Sequence, residues 1–291
     1  MTQLCKFNSM NKGLIFGLLG IVALIFLSAF FLKDEEDVLV EPEIIVEPAV
    51  EEVVLPVVNE VIGQSVEARD IEVYRFGTGE TNLLFVGGIH GGYEANTVDL
   101  ANAMIEHFGN NLSEIPEHIT MHIIPNLNPD GYARLLATDQ TYSDAQRRFN
   151  ANGVDLNRNF ACKWQPESTW RGNVVSAGTA AFSEPEAAAL RDYVNLHTPK
   201  AAVFWHSKAN NVYASECENG VLPETITLMN TYALAGDYGA VEKFDAYEVT
   251  GDAEGWLATL NIPAVTVELE TRNDMEWNRN LRGVMAVLEL Y

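Results

Sequence analysis

The chain has 291 residues, of which 47% are hydrophobic and 10% aromatic, enough apolar material for one sizeable core. Its 41 acidic residues outnumber its 18 basic ones and give a formal charge of −23 at pH 7. This composition excludes a disordered chain. It also argues against a nucleic-acid partner, because phosphate contacts require clustered Lys and Arg.

The N-terminal segment has the features of a membrane anchor. Residues 1–12 carry Lys6 and Lys12 and no acid, and residues 13–32 form a run of 20 uncharged residues. Such a run is long enough to cross a bilayer as a helix. With an acidic stretch after it, the pattern predicts a cytoplasmic tail at 1–12, a transmembrane signal anchor at 13–32 and an extracytoplasmic remainder. The alternative is a cleaved signal peptide and a secreted protein.

Residues 33–60 are predicted to be an acidic linker rich in Pro, Glu and Val. They contain ten acids, one base and three prolines. Repeated Glu-Pro steps and mutual repulsion of the carboxylates favour an extended tether. An edge strand formed by the Val-rich pieces of this segment is the alternative. The folded domain is then expected to comprise residues 61–291.

Apolar runs alternate with helical patterns through this domain. The predicted strands are 71–76, 83–86, 120–125, 201–205 and 264–268. The predicted helices are 96–108, 184–197, 222–238, 255–260 and 278–290, and Ser183 is predicted to cap the second of them. Strands separated by helices indicate an α/β fold with a largely parallel or mixed sheet.

Three polar residues stand where predicted strands end. His90 follows "FVGGI", His206 follows "AAVFW" and Glu268 follows "AVTV". Ligands of α/β proteins collect beyond the carboxyl ends of strands, so these side chains are expected to meet. Glu94 can reach the same place if the intervening Gly-Gly turn folds tightly. Two imidazoles and a carboxylate are a common catalytic zinc set, although each residue taken alone is also compatible with a structural role.

Two further motifs make the site specific. They are "NLNPDGYARLL" at 126–136 and "RRFNANGVDLNRNF" at 147–160. Together with "GGIHGGYE", "FWHS" and "VTVELE", they resemble the zinc metallocarboxypeptidases of the carboxypeptidase A and carboxypeptidase T type. The resemblance spans nearly the whole of 62–290. It implies one α/β domain with a mixed, twisted sheet of about eight strands, and zinc at the carboxyl edge of that sheet.

The resemblance also implies a metal centre with an acid-base residue. His90, Glu94 and His206 correspond to the family's zinc ligands, one ion per chain. Glu268 matches the glutamate that acts as general base and then as general acid. Glu270 is the alternative, because strand alternation places both glutamates on one face.

The substrate-binding arginines follow from the same resemblance. Arg148 matches the arginine that polarises the scissile carbonyl, with Arg147 as the alternative. Asn157 and Arg158 match the pair that holds the terminal carboxylate of the substrate. A planar guanidinium suits a carboxylate, so this pair favours a peptide with a free C-terminus.

The sequence departs from the family pattern at two places. Three residues separate His90 from Glu94 where the family usually has two, and the glycine turn is expected to absorb the additional one. Ala258 stands where many digestive members have a tyrosine on a mobile loop. Tyr247 and Tyr93 are the candidates to replace that tyrosine.

The cysteines fit an extracytoplasmic domain. Cys5 precedes the predicted anchor, whereas Cys162 and Cys217 each follow a site motif. A disulfide between Cys162 and Cys217 would join two site loops and suits an oxidising compartment. Two separate buried thiols are the alternative. The remaining histidines are expected to be structural; they are His107, His118, His122 and His197.

The sequence therefore predicts a membrane-tethered zinc carboxypeptidase that acts on peptides outside the membrane. Two alternatives remain. One is a zinc amidohydrolase that deacylates acylated amino acids with the same metal ligands. The other is a noncatalytic surface-binding relative, which the full set of ligand, base and clamp residues disfavours.

Overall fold

Residues 57–138 and 141–291 are described by the computed structural model of this chain. The predicted tail, the membrane anchor at 13–32 and residues 33–56 of the linker lie outside these ranges. Among the described residues, no helix combines the length and the apolar character needed to cross a membrane. The first strand begins at Val57, so residues 57–60 belong to the sheet rather than to the linker.

Eight strands form one mixed sheet, in the order β1-β2-β4-β3-β7-β12-β8-β11. Their bounds are β1 Val57–Gln64, β2 Asp70–Phe76, β3 Thr81–Val86, β4 Ile119–Ile124, β7 Ala201–Ser207, β8 Asn211–Ala214, β11 Gly239–Val241 and β12 Ala264–Leu269. The central strands β4, β3, β7 and β12 are mutually parallel. Strand β1 pairs antiparallel with β2, β2 with β4 and β8 with β12, whereas β11 pairs parallel with β8. The predicted mixed, eight-stranded sheet is confirmed.

Seven helices accompany the sheet in the described residues. They are α1 Ala95–Asn110, α2 Pro129–Leu136, α3 Asp144–Arg148, α4 Pro185–His197, α5 Pro223–Gly236, α6 Ala253–Thr259 and α7 Trp277–Leu290. Short 3-10 turns at Gly91–Glu94, Leu112–Glu114 and Leu156–Arg158 and two small hairpins complete the domain. The hairpins pair β5 Glu167–Trp170 with β6 Asn173–Ser176, and β9 Glu216–Cys217 with β10 Gly220–Val221.

Successive side chains of a strand point to opposite faces of the sheet, so the hydrophobic core has two parts, one on each face. In β7, Ala201, Val203 and Trp205 belong to the core beneath α1, α5 and α7. Ala202 and Phe204 belong to the core beneath α4 and α6. Because side chains two residues apart share a face, His206 lies on the side of α4 and α6.

Several elements differ from the sequence prediction. All five predicted helices and all five predicted strands are present, and their ends agree with the prediction to within two residues. The inner strand β8, the edge strand β11, both hairpins and the helices α2 and α3 were not predicted, and the edge strand β1 was given only as the alternative to a linker. The predicted cap of α4 is wrong, because Glu184 occupies the N-cap position without a capping side chain. Ser183 instead donates its hydroxyl to Glu184.

Candidate active site

A tight glycine turn brings His90 and Glu94 together after β3. Gly91 has a φ of +47°, and a Cβ on it would come within 2.9 Å of the backbone of Arg147 and Gly131, so glycine is required there. The chain then forms the 3-10 turn Gly91–Glu94. As a result, His90 Nδ1 lies 2.9 Å from Glu94 Oε2, and the turn accommodates the additional residue between them.

The third side chain of the cluster is that of His206, near the end of β7. The Nδ1 atom of His206 lies 3.2 Å from His90 Nδ1 and 3.2 Å from Glu94 Oε2. All three residues are buried, and their candidate ligand atoms lie within 4.8 Å of one another. Side chains as far as 116 positions apart in the sequence therefore converge at one point.

Two buried carboxylates lie behind the imidazoles. His206 Nε2 is 3.1 Å from Glu254 Oε1, and His90 Nε2 is 3.6 Å from Asp155 Oδ1. A proton on the Nε2 atom of His206 satisfies Glu254 and leaves the lone pair of Nδ1 free. The Nδ1 atoms thus face each other and Glu94 as electron-pair donors, which is the arrangement that a metal ion requires.

The donor set fits zinc. Bonds of about 2.0–2.1 Å in a tetrahedral site place neighbouring ligand atoms about 3.3 Å apart, close to the separations of 2.9 and 3.2 Å between these donors. The charges agree. Burial lowers the pKa of His206, but hydrogen bonds to Glu254 and Glu94 outweigh it and raise the pKa to about 10. The surrounding carboxylates therefore favour positive charge at this point, which a divalent ion supplies.

Glu268 lies beside the candidate metal ligands. It pairs in register with His206 across β12 and β7, and its Oε2 atom is buried without a hydrogen-bond partner among the described residues. Burial, followed by the charge of Glu94, raises the pKa of Glu268 to about 7, against the opposing effects of His206, Arg148 and Arg272. Glu270, the alternative base, follows the end of β12, is 62% exposed and pairs with Arg279.

Arg148 is the last residue of α3, and its side chain lies next to the candidate metal ligand Glu94. Its Nε donates to Asp155 Oδ2 at 2.9 Å, and its guanidinium lies 3.7 Å from Glu94 and 4.8 Å from the ring centre of Trp170. Arg147 instead pairs with Asp144 near the surface. Only Arg148 of the two neighbouring arginines therefore contacts the groups around the candidate metal centre.

The 3-10 turn Leu156–Arg158 carries the candidate carboxylate clamp. The Oδ1 atom of Asn157 accepts the backbone N–H of Ala253 at 2.8 Å, so the amide nitrogen of Asn157 remains available as a donor. Arg158 is 3% exposed, and its Nε has no partner among the described residues. A buried, incompletely satisfied guanidinium beside a free amide is suited to bind a carboxylate.

A disulfide lies close to this turn. Cys162 and Cys217 are bonded to each other, as the sequence predicted, with their Cα atoms 5.9 Å apart. The carbonyl oxygen of Cys162 also accepts the backbone N–H of Gly251 at 2.6 Å. The bond thus attaches the segment after the candidate clamp to the hairpin strand β9.

The two tyrosine candidates have different positions. The ring of Tyr93 lies between Trp170 and the guanidinium of Arg272, which is 3.9 Å from the ring centre. The hydroxyl of Tyr93 accepts from Arg171 at 3.3 Å. Tyr247 packs against Phe244. Tyr93 is therefore part of the wall near Arg148 in this conformation.

The sequence reading missed three residues of the site. Asp155 lies inside the quoted motif "GVDLNRNF", so its place in that motif could have indicated it. Trp170 stands in an unpredicted hairpin, and nothing in the pattern indicates that its ring packs against Arg148. Glu254 belongs to the first turn of a predicted helix and carries no sequence signal of its contact with His206.

Comparison with known proteins identifies the family. Residues 57–279 match the family model Peptidase_M14, zinc carboxypeptidase, and the chain belongs to that family. The predicted resemblance is thereby confirmed. The protein is thus related to zinc-dependent peptide hydrolases, and its His-Glu-His cluster could hold the metal.

The relatives differ in activity. The chain is 26% identical over 226 residues to the inactive metallocarboxypeptidase ECM14 of Uncinocarpus reesii, which covers 67% of this chain and 38% of that protein. It is 28% identical over 215 residues to murein peptide amidase A of Escherichia coli K12, which covers 70% of this chain and 78% of that protein. The structure of bovine thrombin-activatable fibrinolysis inhibitor shares the fold, with a TM-score of 0.66, 20% identity and coverage of 80% of this chain and 90% of that one.

Proposed function

We propose that this protein is a zinc-dependent carboxypeptidase that removes residues from the carboxyl ends of peptides. One observation carries the proposal. The cluster of His90, Glu94 and His206 lies beside Glu268 on the adjacent strand. Arg158, a buried arginine in the 3-10 turn Leu156–Arg158, has an Nε atom without a hydrogen-bond partner among the described residues.

His90, Glu94 and His206 would hold the zinc ion in this proposal. When bound, zinc supplies a Lewis acid and lowers the pKa of its water toward about 7. The carboxylate of Glu268 would accept a proton from the attacking water and later return it to the leaving amine. A carboxyl with a pKa of about 7 suits both transfers, because proton exchange is most efficient when the pKa lies near the working pH.

Arg148 stabilises the negative charge that develops on the scissile carbonyl oxygen. Its Nε donates to Asp155, which holds the side chain in place, and its Nη1 lies 3.7 Å from Glu94 Oε1. A fixed donor in a site that excludes water contributes about 3 kcal/mol or more to transition-state stabilisation. The ring of Trp170 also lies against this guanidinium, with its centre 4.8 Å away.

Asn157 and Arg158 bind the free carboxylate of the terminal residue. The hydrogen bond from Ala253 fixes the Asn157 side chain with its amide nitrogen free, and Arg158 offers its guanidinium alongside. Charge-assisted bonds of this type are roughly twice as strong as neutral ones. A substrate that lacks the terminal charge loses these bonds, so chain ends are preferred over internal peptide bonds.

We further propose that the domain acts outside the cytoplasm, attached by the apolar segment 13–32. The support is the uncharged 20-residue run with its flanking charges, together with a disulfide of a type that persists in oxidising compartments.

The second candidate function is an amidase that acts on acylated amino acids. It is supported by the similarity to murein peptide amidase A, which extends over 78% of that protein. Both candidates use the same metal ligands and Glu268. Both substrates carry a free carboxylate, and they differ in the acyl side of the scissile amide, which is a peptide for the carboxypeptidase and a simple acyl group for the amidase.

The test combines metal content with substrate choice. Wild type is expected to bind one zinc ion, and His206→Ala is expected to lose it. Wild type should hydrolyse blocked dipeptides with a free carboxylate and not the matching amides, whereas Arg158→Gln should lose about 10- to 100-fold on the free acids. Arg282→Gln, which removes an exposed arginine of α7, is the matched control. Faster turnover of acylated amino acids, or equal turnover of acids and amides, would contradict the carboxypeptidase.

A further inference from the structure

We propose that Glu254, in the first turn of α6, is a positioning residue that fixes the orientation of His206 for metal binding. The inference rests on the proposed function, in which His206 is a zinc ligand. Glu254 Oε1 lies 3.1 Å from His206 Nε2 and 2.9 Å from Thr266 Oγ1. These two contacts connect one helix to two strands of the sheet.

The burial of Glu254 argues for a specific role. The residue is 2% exposed, and an ionised carboxylate in such a place is costly unless it is paired and hydrogen-bonded. A neutral side chain of similar size would fill the same volume without this cost. We therefore attribute a function to the charge of Glu254, namely its contact with the Nε2 atom of His206.

The contact determines which nitrogen of His206 faces the metal centre. When Nε2 donates its proton to Glu254, the lone pair of Nδ1 points toward His90 Nδ1 and Glu94 Oε2, each 3.2 Å away. A carboxylate behind a ligating imidazole fixes the tautomer and the ring orientation and increases the basicity of the ligand. His90 has a looser equivalent, since Asp155 Oδ1 is 3.6 Å from it.

The same helical turn also contacts the candidate clamp. The N–H of Ala253, the residue before Glu254, donates to Asn157 Oδ1 at 2.8 Å. Thr266, the second partner of Glu254, stands two residues before Glu268 on the same face of β12. The first turn of α6 thus contacts the metal ligand, the strand of the acid-base residue and the clamp.

The experiment measures zinc affinity rather than turnover. Apo-protein competes with a chromophoric chelator of known zinc affinity, and Glu254→Gln is expected to weaken zinc binding by about 10- to 100-fold. Glu270→Gln is the matched control, because it removes the same charge from an exposed side chain paired with Arg279 and should leave the affinity unchanged. The visible absorption of the cobalt-substituted protein should change in Glu254→Gln and not in Glu270→Gln.

A double-mutant cycle with His206→Ala, titrated at zinc concentrations high enough to measure the residual binding by His90 and Glu94, shows whether Glu254 acts through His206. The loss caused by Glu254→Gln should disappear when His206 is absent; an equal loss in that background would overturn the proposal, as would unchanged affinity of the single variant. Thermal unfolding of the apo-proteins verifies folding. Should Glu254→Gln not fold, Glu254→Asp retains the charge but shortens the reach, and wild-type affinity of that variant would also refute the role.

The outcome separates this inference from the proposed function. A wild-type protein that does not bind zinc stoichiometrically refutes both. A wild type that binds zinc while Glu254→Gln binds it equally well refutes only the role of Glu254. Because zinc affinity is measured without substrate, failure to hydrolyse peptides would leave the role of Glu254 fully tested.

Discussion

Two buried histidines on the same face of the sheet have opposite surroundings. His206 and His122 are each 2% exposed. The Nε2 atom of His206 faces the carboxylate of Glu254, whereas both ring nitrogens of His122, on β4, face neutral groups. Its Nδ1 lies 2.5 Å from the hydroxyl of Tyr193 and its Nε2 lies 2.8 Å from Asn82 Oδ1.

The difference appears in the pKa values. Burial, followed by the nearby charges of His197 and Arg75, lowers the pKa of His122 to about 3. Carboxylates raise the pKa of His206 to about 10 against the effect of burial. Residue type and burial are thus the same, and the charge of the partners separates a histidine suited to packing from one suited to hold a cation.

The comparison of His206 with His122 predicts that substitutions in the candidate active site reduce activity more than stability. The largest effect is expected for Glu268→Gln, because the amide cannot take a proton from the water. We expect a loss of about 10²- to 10⁴-fold in kcat/KM with zinc content retained. Thermal unfolding should show equal or greater stability, since a buried, unpartnered carboxylate oxygen is replaced. A variant that kept more than a tenth of its activity would exclude Glu268 as the acid-base residue.

Neighbouring arginines provide the next test. Arg148→Gln removes the guanidinium that faces the site and should lower kcat by about 10²- to 10³-fold. Arg147→Gln removes a guanidinium that pairs with Asp144 near the surface, and its kinetics should match wild type. Steady-state kinetics of the two variants on one peptide decide the point. Equal losses would mean that the position of Arg148 beside Asp155 has no catalytic importance.

The next prediction concerns the contribution of the Cys162–Cys217 disulfide to the free energy of unfolding. Cys162 and Cys217 are 55 residues apart, and a bond that closes a loop of this size stabilises a protein by about 4 kcal/mol through restriction of the unfolded chain. The double variant Cys162→Ala, Cys217→Ala should lose about that free energy of unfolding in urea titrations. The matched comparison is wild type with reductant, which should lose a similar amount. No change in either would show that the bond does not constrain the unfolded state.

The sequence predicts those parts of the fold and site that depend on local pattern. His90, His206 and Glu268 stand out because a polar residue ends an apolar run, and the structure brings all three together. The choice between Glu268 and Glu270 could not be made from alternation alone, because it depends on β12 ending at Leu269. Strand β11 was missed because three residues, Gly239–Val241, are too few to show a period.

Contacts between elements that are distant in the sequence could not be predicted from the sequence pattern. Glu254 looks like any acid in the first turn of a helix, where negative charge is common. Its contact with His206 exists only because α6 packs on the face of the sheet to which β7 directs that imidazole. The same is true of the hydrogen bond from Ala253 to Asn157, which joins residues 96 positions apart.

The smallest expected effect concerns the structural histidine. The pKa of His122 is about 3 in the folded protein and 6.5 in the unfolded chain, so the unfolded chain binds the proton first as the pH falls. The neutral imidazole therefore contributes its full stability above pH 6.5 and loses it progressively toward pH 3, by at most about 1.4 kcal/mol per pH unit.

Replacement by a side chain that does not titrate isolates this contribution. His122→Gln retains polar atoms near Tyr193 and Asn82, so its free energy of unfolding should fall less steeply than that of wild type between pH 6.5 and pH 4. His197 and Arg75, which face His122, are unchanged in both proteins, and the difference between the two pH profiles belongs to residue 122 and its neighbours. Parallel profiles would mean that His122 is protonated in the folded protein, and burial among neutral partners would then not distinguish it from His206.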